Sequence, residues 1–341
     1  MSSSDVLDAV TSAARDLLAD RCGPDRLRHA HDPSFDLDLW ADLAAAGWFD
    51  VLTPEDAGGL GLGAAGIGVL FREAGAGLLP GPLLGDAVVR PLLVDAGVTV
   101  PDGPVAVAAR PSRGIGPAAV LALAGDRISG TLGAVEHADV ATTVVLVAER
   151  DGAPALLMVP AAAAKIHRQT GLDPLGRPCL VHLDDVEPTA VVTDPAVFER
   201  FRTLAWTGTA HRCLGVVETA VRLAVDFAAT REQFGRPIAT FQALAHILAD
   251  LATTAAMTGS VCAAAAARES LRTARIALVF AARAARTAVE GSLQVHGGIG
   301  FTTDLDLHWY YRHGLALEVA WGLPSLHEQA IGRDAVAAKA S

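Results

Sequence analysis

Apolar periodicity changes twice along this chain, and that double change restricts its fold more than any other feature of the sequence. From Asp5 to about Val98, Val6, Val10, Ala14 and Leu17 recur at helical spacing, and Leu39, Leu43 and Trp48 repeat it. The run Thr53-Pro54-Glu55-Asp56-Ala57-Gly58-Gly59-Leu60-Gly61-Leu62-Gly63 interrupts the pattern, and its Pro and glycines predict a loop. From about Val105 to Val192 the pattern becomes short β-branched runs, at Val105 to Ala109, Thr142 to Ala148, Ala155 to Val159 and Cys179 to Leu183. Gly125-Asp126-Arg127 and Arg150-Asp151-Gly152 supply hairpin-type breaks there. After Asp194 the helical spacing returns, with Leu214, Val217, Val221, Val225 and Ala228 on one stripe and Phe241, Leu244, Leu248 and Leu251 on the next. Two more helices are expected, from about Arg268 to Gln294 and from about Asp304 to Val319. Turns at Gly235-Arg236-Pro237-Ile238 and His296-Gly297-Gly298-Ile299-Gly300 separate these helices, which predicts a bundle.

The expected class is α+β, mainly α: an N-terminal helical domain over 1–104, a middle β-domain over 105–194 and a C-terminal four-helix bundle over 195–341. A chain of 341 residues, 51% apolar and 19% charged, can bury such cores, and its length calls for more than one. The net charge of −11 argues against nucleic acid as a partner, since backbone binding needs dense Lys and Arg. Cys22, Cys179, Cys213 and Cys262 lie far apart without metal-ligand spacing, so they read as core thiols, with no metal site and no disulfide framework. The start MSSSDVLDAV is polar and acidic, unlike a secretory signal, and a cytoplasmic location is expected. Apolar stretches such as Val261 to Ala267 soon meet Arg268, Glu269 and Arg272, so no membrane span is expected. Alanine-rich helices account for the mean hydropathy of +0.36.

Two segments are more specific than periodicity: Arg231-Glu232-Gln233-Phe234-Gly235-Arg236-Pro237-Ile238-Ala239-Thr240-Phe241-Gln242 and Gln294-Val295-His296-Gly297-Gly298-Ile299-Gly300-Phe301. Taken singly, an arginine at a helix end is ordinarily solvated, a Gly-Gly is ordinarily a turn, and Phe234 or Phe241 is ordinarily core. Both together, in this order, resemble the acyl-CoA dehydrogenase family. Leu39-Trp40, Ala46-Gly47-Trp48, Pro54-Glu55 and Gly58-Gly59-Leu60-Gly61 are similar to that family's N-terminal region, and Gly171-Leu172-Asp173-Pro174 with Arg177 to the end of its middle domain. The resemblance implies FAD bound across a subunit interface, with Arg231, Gln233 and Phe234 on one FAD and Gln294, Gly297 and Gly298 on another. Cations and open backbone N–H groups are what a pyrophosphate requires. The resemblance further implies an acyl-CoA or other acyl thioester substrate, an electron-transfer flavoprotein or similar acceptor, and a homo-oligomer or a paralogous partner subunit.

The family reaction takes an α-proton from the thioester with a carboxylate while hydride passes from the β-carbon to the flavin. At the two family positions for that carboxylate this sequence has Trp321, followed by Gly322, and Ala205 in Leu204-Ala205-Trp206-Thr207-Gly208. Glu318, one helical turn before Trp321, is the candidate substitute, with an ion-pair role as the competing reading. The middle domain departs as well: Pro111-Ser112-Arg113-Gly114 replaces the usual family stretch. Glu136 and His137 fall near where that domain approaches flavin, His137 reading first as a satisfied loop histidine. Three functions compete: an FAD-dependent acyl-CoA dehydrogenase or its subunit, a non-catalytic partner subunit, and a flavoprotein of the same fold with different oxidation chemistry.

Overall fold

A computed structural model describes residues 3–22, 35–109, 122–124, 127–150 and 152–340. Among the described residues four helices come first, α1 (Ser3–Arg21), α2 (Leu37–Ala45), α3 (Gly63–Ala76) and α4 (Arg90–Asp95), the last entered through a π-helical turn at Gly85–Val89. Eight strands follow among the described residues: β1 (Val105–Ala108), β2 (Ala122–Ala124), β3 (Arg127–Glu136), β4 (Thr143–Arg150), β5 (Ala153–Pro160), β6 (Lys165–Arg168), β7 (Pro178–Val186) and β8 (Ala190–Val192). The remainder is helical, with α5 (Pro195–Thr230), a minimal hairpin of β9 (Glu232–Gln233) and β10 (Arg236–Pro237), then α6 (Gln242–Arg268), α7 (Leu271–His296), α8 (Leu307–Glu318) and α9 (Pro324–Ala340). The order of helices, central sheets and C-terminal helices is the one the periodicity predicts.

Contacts divide the chain into two compact units, each discontinuous in sequence. One comprises Ala30–Ile67, Pro80–Ala205 and Ala320–Ser341. It holds two four-stranded sheets, ordered β1-β4-β5-β8 and β2-β3-β7-β6, antiparallel except for the parallel β1/β4 pair. Cys179, Val181 and Leu183 on β7 alternate with half-buried Leu180 and His182, as a strand with one covered face requires. They share a core with Ile128, Leu132, Val144, Leu146 and Leu157. Each such buried aliphatic side chain contributes roughly 1.5–3 kcal/mol.

Among the strands the sequence reading missed, β3 is the longest. Its glycines look like breaks, yet they accompany register shifts between Ile128 and Gly130 and between Leu132 and Val135, so they are irregularities inside a paired strand. Asp151 and the Gly125-Asp126 pair lie outside the described residues, but their flanks pair as hairpins, Arg150 with Ala153 and Ala124 with Arg127. Pro111-Ser112-Arg113-Gly114 also lies outside them.

The other unit comprises Met1–His29, Gly68–Leu79 and Trp206–Val319. Here α3 and α5 touch backbone to backbone. A Cβ on Gly75 would stand 2.1 Å from the Arg212 carbonyl oxygen, and one on Gly215 would stand 2.0 Å from that of Arg72. Only glycine permits that approach. Alanines at 220, 224, 281, 285 and 288 build much of the bundle core around Val217, Leu251 and Val289. The boundary expected at about Arg268 falls slightly later, because Glu269 takes the left-handed conformation (φ 42°) and Ser270 caps α7 by accepting from the Thr273 N–H at 3.3 Å. Cys213 and Cys262 are fully buried thiols in this core, and burial pushes Cys262 up to about 12, which makes it inert as a nucleophile.

Among the described residues one helix, α6, has the length and apolar composition of a membrane span, with mean hydropathy 1.4 in its most apolar window. The whole helix therefore exceeds the short apolar stretch weighed from sequence. Only 17% of that window is buried within this chain.

Candidate functional site

The Arg231 motif follows α5 as a tight hairpin. Gln233 pairs with Arg236 across a two-residue turn in which Phe234 (φ 52°) and Gly235 (φ 77°) both have left-handed backbone. That is the geometry of a type I′ turn, which suits glycine but costs a phenylalanine roughly 1 kcal/mol. The Phe234 side chain is nevertheless 92% exposed. Behind it, Phe241 meets Phe234 edge-on at 6.1 Å and carries the Arg236 guanidinium 4.3 Å above its ring. The Ile238 N–H donates to the Arg231 carbonyl at 2.8 Å and the Gln233 amide to the Glu232 carbonyl at 2.8 Å, so the hairpin is internally braced. The side chains of Arg231 and Gln233 are exposed.

The second motif ends α7. Gln294 is exposed on its last turn, and Gly297 breaks the helix with φ 65° and ψ −143°. A Cβ placed on Gly297 or Gly298 would meet no atom within 4 Å, so this loop offers bare backbone to whatever approaches it. The two motifs are neighbours within one chain. Phe227, whose carbonyl accepts from the Arg231 N–H at 2.9 Å, stacks on His296 with ring centroids 4.3 Å apart. His296 is held in turn by a 2.8 Å contact from Nδ1 to the Ser292 carbonyl. Phe227 and His296 were not among the expected site residues; their signal was adjacency, Phe227 standing four positions before Arg231 and His296 directly before Gly297.

Glu318 lies elsewhere. Its carboxylate pairs with Arg286 at 3.1 Å, and Arg286 also binds Glu290 at 3.0 Å. Arg286 sits ten residues before His296 on α7, about 15 Å of helix rise from the glycine loop. In the other unit, Ala205 is fully buried, and Trp321 meets Phe201 edge-on at 6.1 Å while its carbonyl contacts His327 Nε2 at 2.8 Å. Neither residue offers a group that takes up a proton. His137 is 1% exposed, and its Nε2 accepts the Gly81 N–H at 2.9 Å.

Known proteins match this arrangement closely. Residues 4–97 match the family model described as acyl-CoA dehydrogenase, N-terminal domain, and residues 201–335 match acyl-CoA dehydrogenase, C-terminal domain. The acyl-CoA dehydrogenase IpdE2 of Mycobacterium tuberculosis is 30% identical over 88% of this chain and 88% of its own length. Among solved structures, the Tcur3481-Tcur3483 steroid ACAD superposes with a TM-score of 0.89 at 28% identity over 100% of both chains. The ChsE4-ChsE5 complex from Mycobacterium tuberculosis does so with a TM-score of 0.85 at 26% identity over 98% of both. With the sheets between two helical regions, the hairpin and glycine loop in place, and a relative matched over most of its length, this chain belongs to the acyl-CoA dehydrogenase family of flavin oxidoreductases.

Proposed function

We propose that the chain is one subunit of a heteromeric acyl-CoA dehydrogenase, holding FAD at its hairpin and glycine loop while a partner chain supplies the catalytic base. The observation that carries this reading is the pair of apolar residues at the family's two carboxylate positions, Ala205 buried and Trp321 packed on Phe201. The substitute, Glu318, is already committed to Arg286. A second reading keeps Glu318 as the base, freed from that pair when substrate binds.

The residues fit the dinucleotide on its ADP side. Arg231, with Gln233 and Phe234 beside it, would face the pyrophosphate of one FAD, while Gln294, Gly297 and Gly298 would offer open backbone N–H groups to the FAD across the subunit interface. FAD, when bound, accepts the hydride from the substrate β-carbon. The chain's own part is to hold and orient the cofactor.

A partner surface is available on α6. Its exposed face carries Ala249, Ala252, Ala256, Met257 and Ala263, and the hydroxyls of Thr253, Thr254 and Ser260 bond back to carbonyls four residues earlier at 2.8, 2.9 and 3.0 Å. With those hydroxyls satisfied, covering the face with another helix strands no donor. We favour a protein over a lipid as that cover, and a paralogue over a second copy, because the ChsE4-ChsE5 complex is named for two different chains. The steroid ACAD neighbour points to a bulky, steroid-like acyl thioester as the first substrate to try. The linear division at 104 and 194 stands as the proposed domain plan, with electron-transfer flavoprotein or a similar protein as acceptor and the cytoplasm as compartment.

The test is to express the chain alone and with a glutamate-bearing paralogue, then follow bleaching of the flavin band on adding acyl-CoA thioesters. Loss of a positioned base costs roughly 10²–10⁴ in rate, so the isolated chain should reduce its flavin at least ~100-fold more slowly than the complex. Brisk reduction by the isolated chain, undiminished in Glu318→Gln, overturns both readings of the base.

A further inference from the structure

Away from the flavin motifs, α1, α3 and α5 enclose a cleft of about 730 Å³, a volume in the range that accommodates a small organic ligand. Three arginines reach it, one from each helix: Arg15, Arg72 and Arg222. Two of them are fixed by carboxylates on the next helix. Arg15 donates from Nε and Nη2 to Glu73 at 3.2 and 2.9 Å, and Arg72 donates from Nε and Nη2 to Glu218 at 2.7 and 2.9 Å. Each side-on pair occupies one edge of a guanidinium and, among the described residues, leaves its Nη1 donors uncommitted. Both Glu73 oxygens are engaged by Arg15 and both Glu218 oxygens by Arg72. Among the described residues, Arg222, one turn after Glu218 on α5, has only a loose pair with Asp226 at 3.6 Å. The described lining thus has more donors than acceptors.

We propose that this cleft binds an amphipathic oxyanion, a carboxylate or phosphate carried on a short apolar body. The anion is held by Arg222 with the Nη1 donors of Arg15 and Arg72, and the body lies against Leu18, Ala19 and Ala76. The pairs with Glu73 and Glu218 set the guanidinium planes before any ligand arrives, which lowers the ordering cost of binding. Glu73, with its side chain only 7% exposed, anchors this arrangement. Nothing in this inference depends on FAD, since none of these residues belongs to the hairpin or the glycine loop.

The test titrates the purified chain, or its complex with a partner subunit, with hexanoate, acetate and inorganic phosphate by calorimetry. Arg222→Gln removes the charge least committed within the protein, and Ala19→Trp fills the cleft without changing charge. The expected result is saturable binding, tighter for hexanoate than for acetate if the source is a carboxylate or strongest for phosphate if it is a phosphoryl group. Binding should weaken about ten-fold in Arg222→Gln and be lost in Ala19→Trp, with flavin content unchanged in both. Absence of binding by all three anions, or binding indifferent to both substitutions, overturns the proposal.

Discussion

At its C-terminal end α5 opens into a hairpin whose Phe234 is 92% exposed, whereas in its N-terminal half Phe201 and Ala205 are completely buried. The contrast is one of what each region gives up. The hairpin retains a costly left-handed phenylalanine and an exposed arginine, which a free-standing turn has no reason to keep. At the buried end the groups pack without any desolvation cost, where an unpaired charge would be expensive to bury. One region is open to whatever lies outside the chain, and the other is core.

The sharpest way to break the comparison is at the open end. Arg231→Ala, and separately Gly297→Val with Gly298→Val, should weaken FAD binding roughly 10- to 100-fold, the cost of a charge-assisted hydrogen bond or of blocked backbone approach. Flavin-to-protein ratio after gel filtration reads this, with circular dichroism reporting intact helices. Unchanged stoichiometry in both variants would remove the cofactor assignment.

Between the two ends, α5 is packed against α3 through glycine, and there the expected effect is on stability alone. Gly75→Ala forces a Cβ to within 2.1 Å of the Arg212 carbonyl oxygen and should cost about 1–3 kcal/mol in urea unfolding as the helices part. Flavin content of the folded fraction should not change. A variant as stable as wild type would mean that the two helices do not meet so closely.

The smallest effect concerns His211, in the same stretch of α5, where burial lowers the imidazole pKa from 6.5 and nearby Arg72 adds to it, opposed by the contact with the Thr207 carbonyl. Above 6.5 the ring is neutral folded or unfolded, so nothing is lost. As pH falls below that value the unfolded chain takes up a proton that the folded chain refuses, and stability declines by at most about 1.4 kcal/mol per pH unit until the folded pKa is reached. His211→Gln should flatten that decline in thermal melts between about pH 7.5 and 5. An identical slope in wild type and variant would show that other groups govern the acid limb.

Several of these features were legible before any coordinates. The 3.6-residue stripes of α5, α6 and α7 and the β-branched runs of β1, β4, β5 and β7 are local patterns, each written by its own residues. The turns at Phe234-Gly235 and Gly297-Gly298 were legible for the same reason, since their turn chemistry depends on glycines at fixed spacing. β3 was not, because glycine signals a break unless a partner strand absorbs the irregularity, and pairing is not a local property. Glu318 showed the limit most clearly. Its spacing from Trp321 made it a candidate, but its engagement by Arg286 depends on how α7 and α8 pack.

The sequence by itself determined the order of helices, sheets and bundle and the places of the hairpin and the glycine loop, because periodicity and turn chemistry act over a few residues. Only the tertiary structure decided that Phe227 and His296 join the two motifs in one chain, that α3 and α5 meet through Gly75 and Gly215, and that three helices gather Arg15, Arg72 and Arg222 around one cleft. Those are contacts between residues far apart along the chain, and the packing free energy that fixes them belongs to the folded whole rather than to any segment.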